Sequence, residues 1–202
     1  MNTYTVLPKP ANLDWSEIPF VQIATPYRNS PADISATGQL CYDSEALYVR
    51  LTAKEAYIRA VYTEPLDPPC EDSCLEFFFS PIEGDLRYFN IEFNPNCCMY
   101  LGIASSIKDL VRLIPEIPSG ENPLNPVVTY TEDGWEIVYS IPYSFIRRFF
   151  PGFEPAPGKT IRGNFYKCGE LTKVEHYYSW SPITGDVLSF HRPNDFGYLT
   201  FK

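Results

Sequence analysis

Aromatic and polar side chains cluster in one short segment of this chain. Residues 175–182 (Glu-His-Tyr-Tyr-Ser-Trp-Ser-Pro) carry an imidazole, two phenols and an indole. A sugar ring has an apolar C–H face and a rim of hydroxyls, so its site needs a flat aromatic surface with fixed donors and acceptors around it. Trp180 and Tyr178 therefore predict a sugar-binding surface at a strand edge or loop. The alternative is that Trp180 fills the end of the core, as large aromatic residues often do.

A second group of donors lies just before the last predicted strand. His191 and Arg192 both carry N–H donors, and the guanidinium presents a planar fork of them, so both residues are candidates for binding sugar hydroxyls. The alternative is structural: Arg192 would pair with Asp195 while Pro193 fixes the turn.

Polar side chains also alternate along two neighbouring strands. Glu76, Asn90 and Glu92 would share one face, and the simpler interpretation is a solvated outer face. Glycoside hydrolysis needs two carboxylates facing each other across a sugar, but a flat sheet face lacks the cleft that excludes water. The chain has no Gly-x-Ser-x-Gly, P-loop or His-Glu-x-x-His motif. We therefore expect a binding protein and not an enzyme.

The metal ligands in the sequence form no recognised motif. Cys70 and Cys74 have partial zinc spacing, but no second Cys/His pair accompanies them. Asn90, Glu92 and Asn94 offer oxygens, yet calcium needs six to eight ligands and no dense Asp run is present. The sequence therefore predicts no certain cofactor and leaves the metal undetermined.

The cysteines and the first residues of the chain indicate the cellular compartment of the protein. The chain has six cysteines: Cys41, Cys70, Cys74, Cys97, Cys98 and Cys168. Three lie in apolar strand-like runs, where a free cysteine behaves as a small hydrophobic residue. The first residues show neither a basic n-region nor an apolar h-region. We expect six reduced thiols in a cytoplasmic protein; the alternative is an exported protein whose leader was removed.

Composition narrows the classes of partner. The 202 residues are 45% hydrophobic and 16% aromatic, which is enough to build a core. The net charge of −9 argues against nucleic acid and anionic membranes, because both require a basic surface. No apolar run approaches the roughly 20 residues of a spanning helix. The composition favours no particular oligomeric state.

Period-two alternation between turn residues runs through most of the chain. The residues predicted to face inward are Leu47, Val49, Leu51, Leu75, Phe77, Phe79, Phe89, Ile91 and Phe93. Hairpin turns are expected at 43–45 and 132–134, a Pro-rich connection at 114–126 and a short helix at 143–150. We predict an all-β fold: a two-sheet antiparallel β-sandwich of about ten or eleven strands with one short helix. It would form a single domain over 1–202, with 1–12 as an extended arm.

Several fragments, in order, resemble the family 9 carbohydrate-binding modules and the wider DOMON-like sandwich group. They are Gln39–Asp43 with Ala46–Val49, Asp72–Phe78, Gly134–Glu136 with Ile141–Pro142, Gly163–Tyr166, Trp180–Pro182, Phe190–Pro193 and Phe196–Gly197. Each fragment alone is a weak match, but the series covers nearly the whole chain. The resemblance implies a non-catalytic domain that binds a sugar or the terminus of an oligosaccharide.

The resemblance also implies site residues. Sugar-binding members hold a terminal ring between two Trp side chains and use a Glu for its hydroxyls; Trp180 matches one Trp and Glu76 the acid. Cys70 stands where the second Trp would fall, so stacking on one face is expected unless Tyr62 or Tyr178 replaces it. Family members can also bind structural calcium. The alternatives are an accessory domain that has lost sugar binding, or a haem-binding relative, for which Met99 is the one internal Met.

Overall fold

The computed structural model describes residues 1–27, 30–31, 33–114 and 122–202. Part of the predicted Pro-rich connection, including Pro115 and Pro118, lies outside these residues. The strands are β1 (Thr3–Pro8), β2 (Phe20–Ile23), β3 (Thr25–Pro26), β4 (Ser35–Tyr42), β5 (Ala46–Lys54), β6 (Cys74–Ser80), β7 (Tyr88–Phe93), β8 (Met99–Ala104), β9 (Val111–Arg112), β10 (Val127–Thr131), β11 (Gly134–Pro142), β12 (Thr160–Gly169), β13 (His176–Ser179) and β14 (Gly197–Phe201). The α-helix α1 is Tyr143–Phe149, and short 3-10 turns occupy Trp15–Glu17, Pro69–Glu71, Ile107–Asp109 and Pro193–Asp195.

Eleven of these strands form one continuous hydrogen-bonded path. Its order is β10-β11-β5-β4-β1-β14-β12-β6-β7-β8-β9, and the shorter strands β2, β3 and β13 pair beside it. The predicted all-β class with one short helix is therefore confirmed in the described part of the chain. The sheet curls on itself, and no break in pairing separates it into two sheets.

The first strand joins the two sides of this path. Residues 3–6 of β1 pair with β14 and residues 7–8 with β4, and both pairings are parallel. Tyr4 and Val6 point into the core. Pro8 ends the strand, where its missing N–H costs no hydrogen bond. The predicted extended arm at 1–12 is therefore corrected, because half of it, Thr3–Pro8, is an integral strand of the sheet.

The strand registers predicted from alternation are confirmed. All nine residues expected to face inward are fully buried in the main core. Rings from opposite sides of the curl meet there: Phe93 of β7 lies 5.1 Å from Tyr139 of β11, centroid to centroid. The helix α1 adds Phe145, whose ring lies 5.2 Å from that of Phe89.

The predicted hairpins are also present. β4 and β5 pair antiparallel across the turn at 43–45, where Asp43 Oδ1 accepts hydrogen bonds from the amides of Glu45 and Ala46. β10 and β11 pair across 132–133. No helix in the described residues is long and apolar enough to cross a bilayer.

The outer face of β6, β7 and β12 is covered and not solvated. Glu76 and Glu92 are 2% and 6% exposed and Asn90 is fully buried, so the predicted solvated face is wrong. The segment before β14 lies over these strands, and Tyr177 of the neighbouring strand β13 joins them in a second apolar cluster. That cluster comprises Cys74, Phe78, Tyr88, Ala104, Tyr166, Cys168, Tyr177, Phe190 and Phe196. This cover creates a cavity on what would otherwise be an open sheet.

Candidate ligand-binding site

A cavity of about 290 Å³ lies between the outer sheet face and its cover. It is lined by Cys70, Glu76, Phe78, Glu92, Ile107, Cys168, Glu170, Tyr177, Leu188, Ser189, Phe190 and His191. Strands β6, β7 and β12 supply its floor, β13 one side, and the segment 188–191 the other. Its size is near the lower end for small-molecule sites.

Two carboxylates form the polar floor of this cavity. Glu76 on β6 and Glu92 on β7 are direct cross-strand partners, so their side chains leave the sheet on the same face. The Cys168 thiol donates to Glu76 Oε1 over 2.9 Å, and Asn90 Nδ2 donates to Glu92 Oε1 over 2.9 Å. The second oxygen of each carboxylate has no protein partner among the described residues. Those two oxygens are free to form hydrogen bonds with a ligand.

The two acidic side chains on the cavity floor have raised pKa values. Burial, followed by the nearby Glu92 charge, raises the pKa of Glu76 well above its usual range. Burial also raises the pKa of Glu92 to about 7. Like charges facing each other in a low-dielectric site disfavour double ionisation. The lining contains no Lys or Arg, so the cavity disfavours anionic ligands.

Aromatic side chains supply the apolar part of the lining. Phe190 stacks on Tyr166 at 4.2 Å and 9°, which fixes its ring plane. Tyr177 meets Phe190 edge-on, and its hydroxyl donates to Glu175 Oε1 over 2.8 Å. The two rings form an aromatic corner beside the carboxylate floor.

His191, a candidate sugar-binding residue in the sequence, lines the cavity, but its ring is partly engaged by the protein. Its Nδ1 lies 2.8 Å from the Tyr88 hydroxyl and its ring 5.2 Å from that of Phe78. Burial lowers its pKa to about 4, so the imidazole is neutral at physiological pH. A neutral ring that accepts from Tyr88 at Nδ1 carries its proton on Nε2, as a donor.

Trp180 and Tyr178 are placed in the main core and not at the cavity. Trp180 is 5% exposed; its ring packs on Gly197 and meets Phe165 at 5.8 Å. Tyr178 is also 5% exposed, and its hydroxyl donates to the Pro31 carbonyl. Neither ring offers a free face to a sugar. The structure therefore corresponds to the alternative in which Trp180 fills the core.

Strand register explains this placement. Tyr178 is the cross-strand partner of Lys167, whose side chain points inward, whereas Tyr177 is the partner of Cys168, which points outward. Adjacent residues of a strand face opposite sides, so Tyr177 and not Tyr178 reaches the cavity. The sequence could not distinguish the two tyrosines, because both are aromatic and the partner strand was unknown.

Arg192 is a structural residue of the loop beside the cavity. Its Nη2 donates to the Val187 carbonyl over 2.8 Å, and its guanidinium packs against Gly185. It is absent from the cavity lining. The alternative pairing with Asp195 is also corrected, because Asp195 instead accepts from the Thr184 amide and hydroxyl.

Cys70 lines the cavity at the position where the resemblance places a second Trp. Tyr62, one proposed substitute, bonds to Glu71 and is not among the lining residues. Phe190, Ser189 and Glu170 were missed by sequence reasoning. Phe190 and Ser189 lie in the segment before β14, whose fold over the sheet has no local signature.

The donor atoms available for a metal are mainly sulfur. Among the described residues, one group of three His, Cys, Asp or Glu side chains has converging donor atoms: Cys74, Glu76 and Cys168. Two thiols do not suit calcium, which prefers oxygen ligands. Asn94, a candidate calcium ligand, instead donates to Asp72 Oδ2 and accepts from the Cys98 amide.

Comparison with known proteins gives one family and several related folds. A family model described as carbohydrate-binding family 9 matches residues 7–201. A protein from Bacteroides uniformis, described as carbohydrate-binding, is 26% identical, with a TM-score of 0.82 and 99% of each chain covered.

Two structures from Caldicellulosiruptor kristjanssonii have the same fold at lower identity. Both are of a family 9 carbohydrate-binding module, one in complex with cellotriose and one with glucose. They are 14% and 13% identical, each with a TM-score of 0.69; all of this chain is covered, and 94% and 96% of theirs. No curated protein matches the chain.

Proposed function

The chain belongs to carbohydrate-binding family 9, and we propose that its cavity binds the terminal unit of a sugar chain. The family is non-catalytic, so the protein binds carbohydrate without transforming it. The observation that supports this site is the juxtaposition of an aromatic corner with two buried carboxyl groups that line the same cavity. Tyr177, Phe190, Glu76 and Glu92 are the residues proposed to carry binding.

Each part of a sugar has a matching surface in this proposal. The C–H face of the ring packs against Tyr177 and Phe190, which take the role that Trp180 cannot. The free oxygens of Glu76 and Glu92 form hydrogen bonds with two hydroxyls. His191 Nε2 and the Ser189 hydroxyl supply donors at the rim.

The chemistry of the lining favours a neutral sugar. With no Lys or Arg in the lining, the carboxylate of a uronic acid would find no compensating cation in a low-dielectric site that already holds two acidic side chains. Two solved structures of the same fold hold glucose and cellotriose. We therefore propose a gluco-configured oligosaccharide, recognised at one end because the cavity is small.

The arrangement of the curled sheet in layers is part of the same proposal. We infer that the two sides of the curled sheet function as two packed layers of one domain. Contacts across the curl support this, such as that between Phe93 and Tyr139, as does the family match over residues 7–201. The outer face of one layer then carries the ligand site, while its inner face builds the core.

Affinity should be modest, because one aromatic corner replaces a two-Trp sandwich. Phe190 already uses one face to stack on Tyr166. We expect a Kd of roughly 1 mM, which corresponds to a binding free energy of about −4 kcal/mol. A Kd of 1 μM would need about −8 kcal/mol.

The test is an NMR or calorimetric titration with glucose, cellotriose and glucuronic acid. Binding of the two neutral sugars and not of glucuronic acid is expected. Tyr177→Ala and Glu92→Gln should each weaken binding about tenfold or more. Matched controls are Tyr130→Ala and Glu132→Gln, which remove the same groups from exposed positions and should bind as the wild type does. Failure of a broad panel of neutral sugars to bind would favour the accessory-domain alternative.

A further inference from the structure

We propose that Cys74, Glu76 and Cys168 form a zinc site in the floor of the cavity. One ligand atom from each residue lies within 4.8 Å of the other two. The three side chains are 0%, 2% and 1% exposed. Two thiolates and one carboxylate are a donor set that zinc accepts and that calcium or magnesium does not.

Strand pairing brings the three donors together. Cys74 of β6 and Cys168 of β12 are direct cross-strand partners, so both side chains leave the sheet on the same face. Glu76 follows two residues after Cys74 and points the same way. Because two paired strands hold all three positions, little chain ordering is needed when a metal enters.

The distances are close to those of a tetrahedral site. Cys168 Sγ and Glu76 Oε1 are 2.9 Å apart and share the thiol proton. A tetrahedral zinc with a Zn–S bond of about 2.3 Å and a Zn–O bond of about 2.0 Å separates its sulfur and oxygen ligands by about 3.5 Å. Replacing the shared proton with zinc therefore needs only small side-chain movements within the cluster.

The fourth coordination position opens onto the cavity. Glu76 and Cys168 line the cavity, whereas Cys74 lies behind them. Cys70 also lines the cavity, with its carbonyl oxygen 3.7 Å from Cys168 Sγ, but its thiol lies outside the converging group and would be a fourth ligand only after moving toward the ion. Otherwise a water completes the site. Three protein ligands with one open position are an established zinc arrangement.

Charge also favours a cation at this position. Glu76 lies opposite Glu92 and no Lys or Arg lines the cavity, so ionising both carboxyl groups there needs a nearby cation. A divalent ion on the floor would supply the missing positive charge. This inference does not depend on sugar binding, and each can be tested without the other.

The test is a cobalt titration of purified protein after chelation, followed by zinc competition. We expect one cobalt per chain, a thiolate-to-cobalt charge-transfer band, and its loss when zinc is added. Mass analysis of native protein should find one zinc released by chelator.

Variants locate the ion. Cys74→Ser and Cys168→Ser should each weaken zinc binding by about 100-fold or more, beyond the 10–100-fold typical of changes to outer-shell residues. Glu76→Gln, which keeps the side-chain volume, should also weaken it. Cys41→Ser is the matched control, because Cys41 is equally buried but lies outside the cluster, and it should bind as the wild type does. Circular dichroism confirms that each variant is folded.

Three outcomes would overturn the proposal. They are a titration without a charge-transfer band, an unchanged affinity in folded Glu76→Gln and Cys168→Ser, and a Cys74–Cys168 disulfide in native protein that excludes metal. Sugar titration of the zinc-free protein separates this result from the proposed function, because sugar binding without metal would leave that function intact.

Discussion

Glu55, which follows β5, and Lys167, on β12, form a buried ion pair of 3.2 Å. Their side chains are 1% and 0% exposed. Glu55 also accepts from Trp135 Nε1 over 2.8 Å and from the Ser73 hydroxyl over 2.9 Å. β5 and β12 lie on opposite sides of β1 in the sheet path, so this network ties the two halves of the curl together.

Breaking this pair should strongly destabilise the protein. Lys167→Ala leaves the Glu55 carboxylate buried without its cation, which typically costs about 3–5 kcal/mol of unfolding free energy. Lys54→Ala is the control, because the exposed Lys54–Asp133 pair should contribute less than about 1 kcal/mol. Urea unfolding measures both. Equal effects of the two substitutions would show that the buried pair has no special role.

His176 should make stability depend on pH. Its Nε2 lies 2.8 Å from Lys167 Nζ and its Nδ1 2.8 Å from the Val174 carbonyl, so the ring is neutral, with its proton on Nδ1. Burial and then the Lys167 charge lower the pKa of His176 from 6.5 to about 4. The charges of Glu55 and Asp33 oppose that shift.

Because the pKa of folded His176 is lowered, the protein loses stability as the pH falls. Below pH 6.5 the unfolded chain binds a proton that folded His176 resists, so stability is complete above pH 6.5 and falls toward pH 4 by about 1.4 kcal/mol per unit. His191 also lowers stability as the pH falls, because its pKa is lowered as well. Glu92, with its pKa raised to about 7, has the opposite effect and lowers stability as the pH rises. The measurement is therefore the difference between wild type and His176→Gln, which should lose this slope. Parallel pH curves for the two proteins would refute the assignment.

Trp180→Ala should affect stability and not sugar binding. The ring fills the core against Phe165 and Gly197, and removing a buried Trp usually costs about 3–5 kcal/mol. Thermal unfolding and sugar titration on the same sample separate the two effects. Loss of binding in a variant with wild-type stability would return Trp180 to the site.

The thiols should remain reduced. All six cysteines are free in the structure, and Cys97 and Cys98 are adjacent in the chain. Alkylation of denatured, metal-free protein without reductant should modify six thiols, as counted by mass spectrometry. Two or more protected cysteines would instead indicate disulfides and an oxidising compartment.

The inward faces of the central strands could be predicted because their pattern is local. Leu75, Phe77 and Phe79 alternate with Glu76 and Phe78, and a period of two assigns a side to each residue whatever its partner. The turn at 43–45 and the helix α1 are encoded by similarly short signals.

The outer face could not be predicted in the same way. Glu76 and Glu92 look like solvated residues until the segment before β14 folds over them. Pro193 and Asp195 mark a turn in that segment but do not say where it packs. Burial of the carboxylates is a long-range property.

Which aromatic residues line the cavity is also decided by the tertiary structure. Adjacent Tyr177 and Tyr178 are equally suited to a sugar, and only the pairing of β13 with β12 sends the first to the cavity and the second to the core. Cys74 and Cys168 meet for the same reason.

The sequence by itself determined the class of fold, the facing of its central strands and the family resemblance, because each depends on residue types and spacing along the chain. The tertiary structure decided which polar groups share a cavity and which aromatic rings line it, because register and the path of a covering loop are set by contacts between distant segments. A one-residue change of register would send Tyr177 inward and Tyr178 outward.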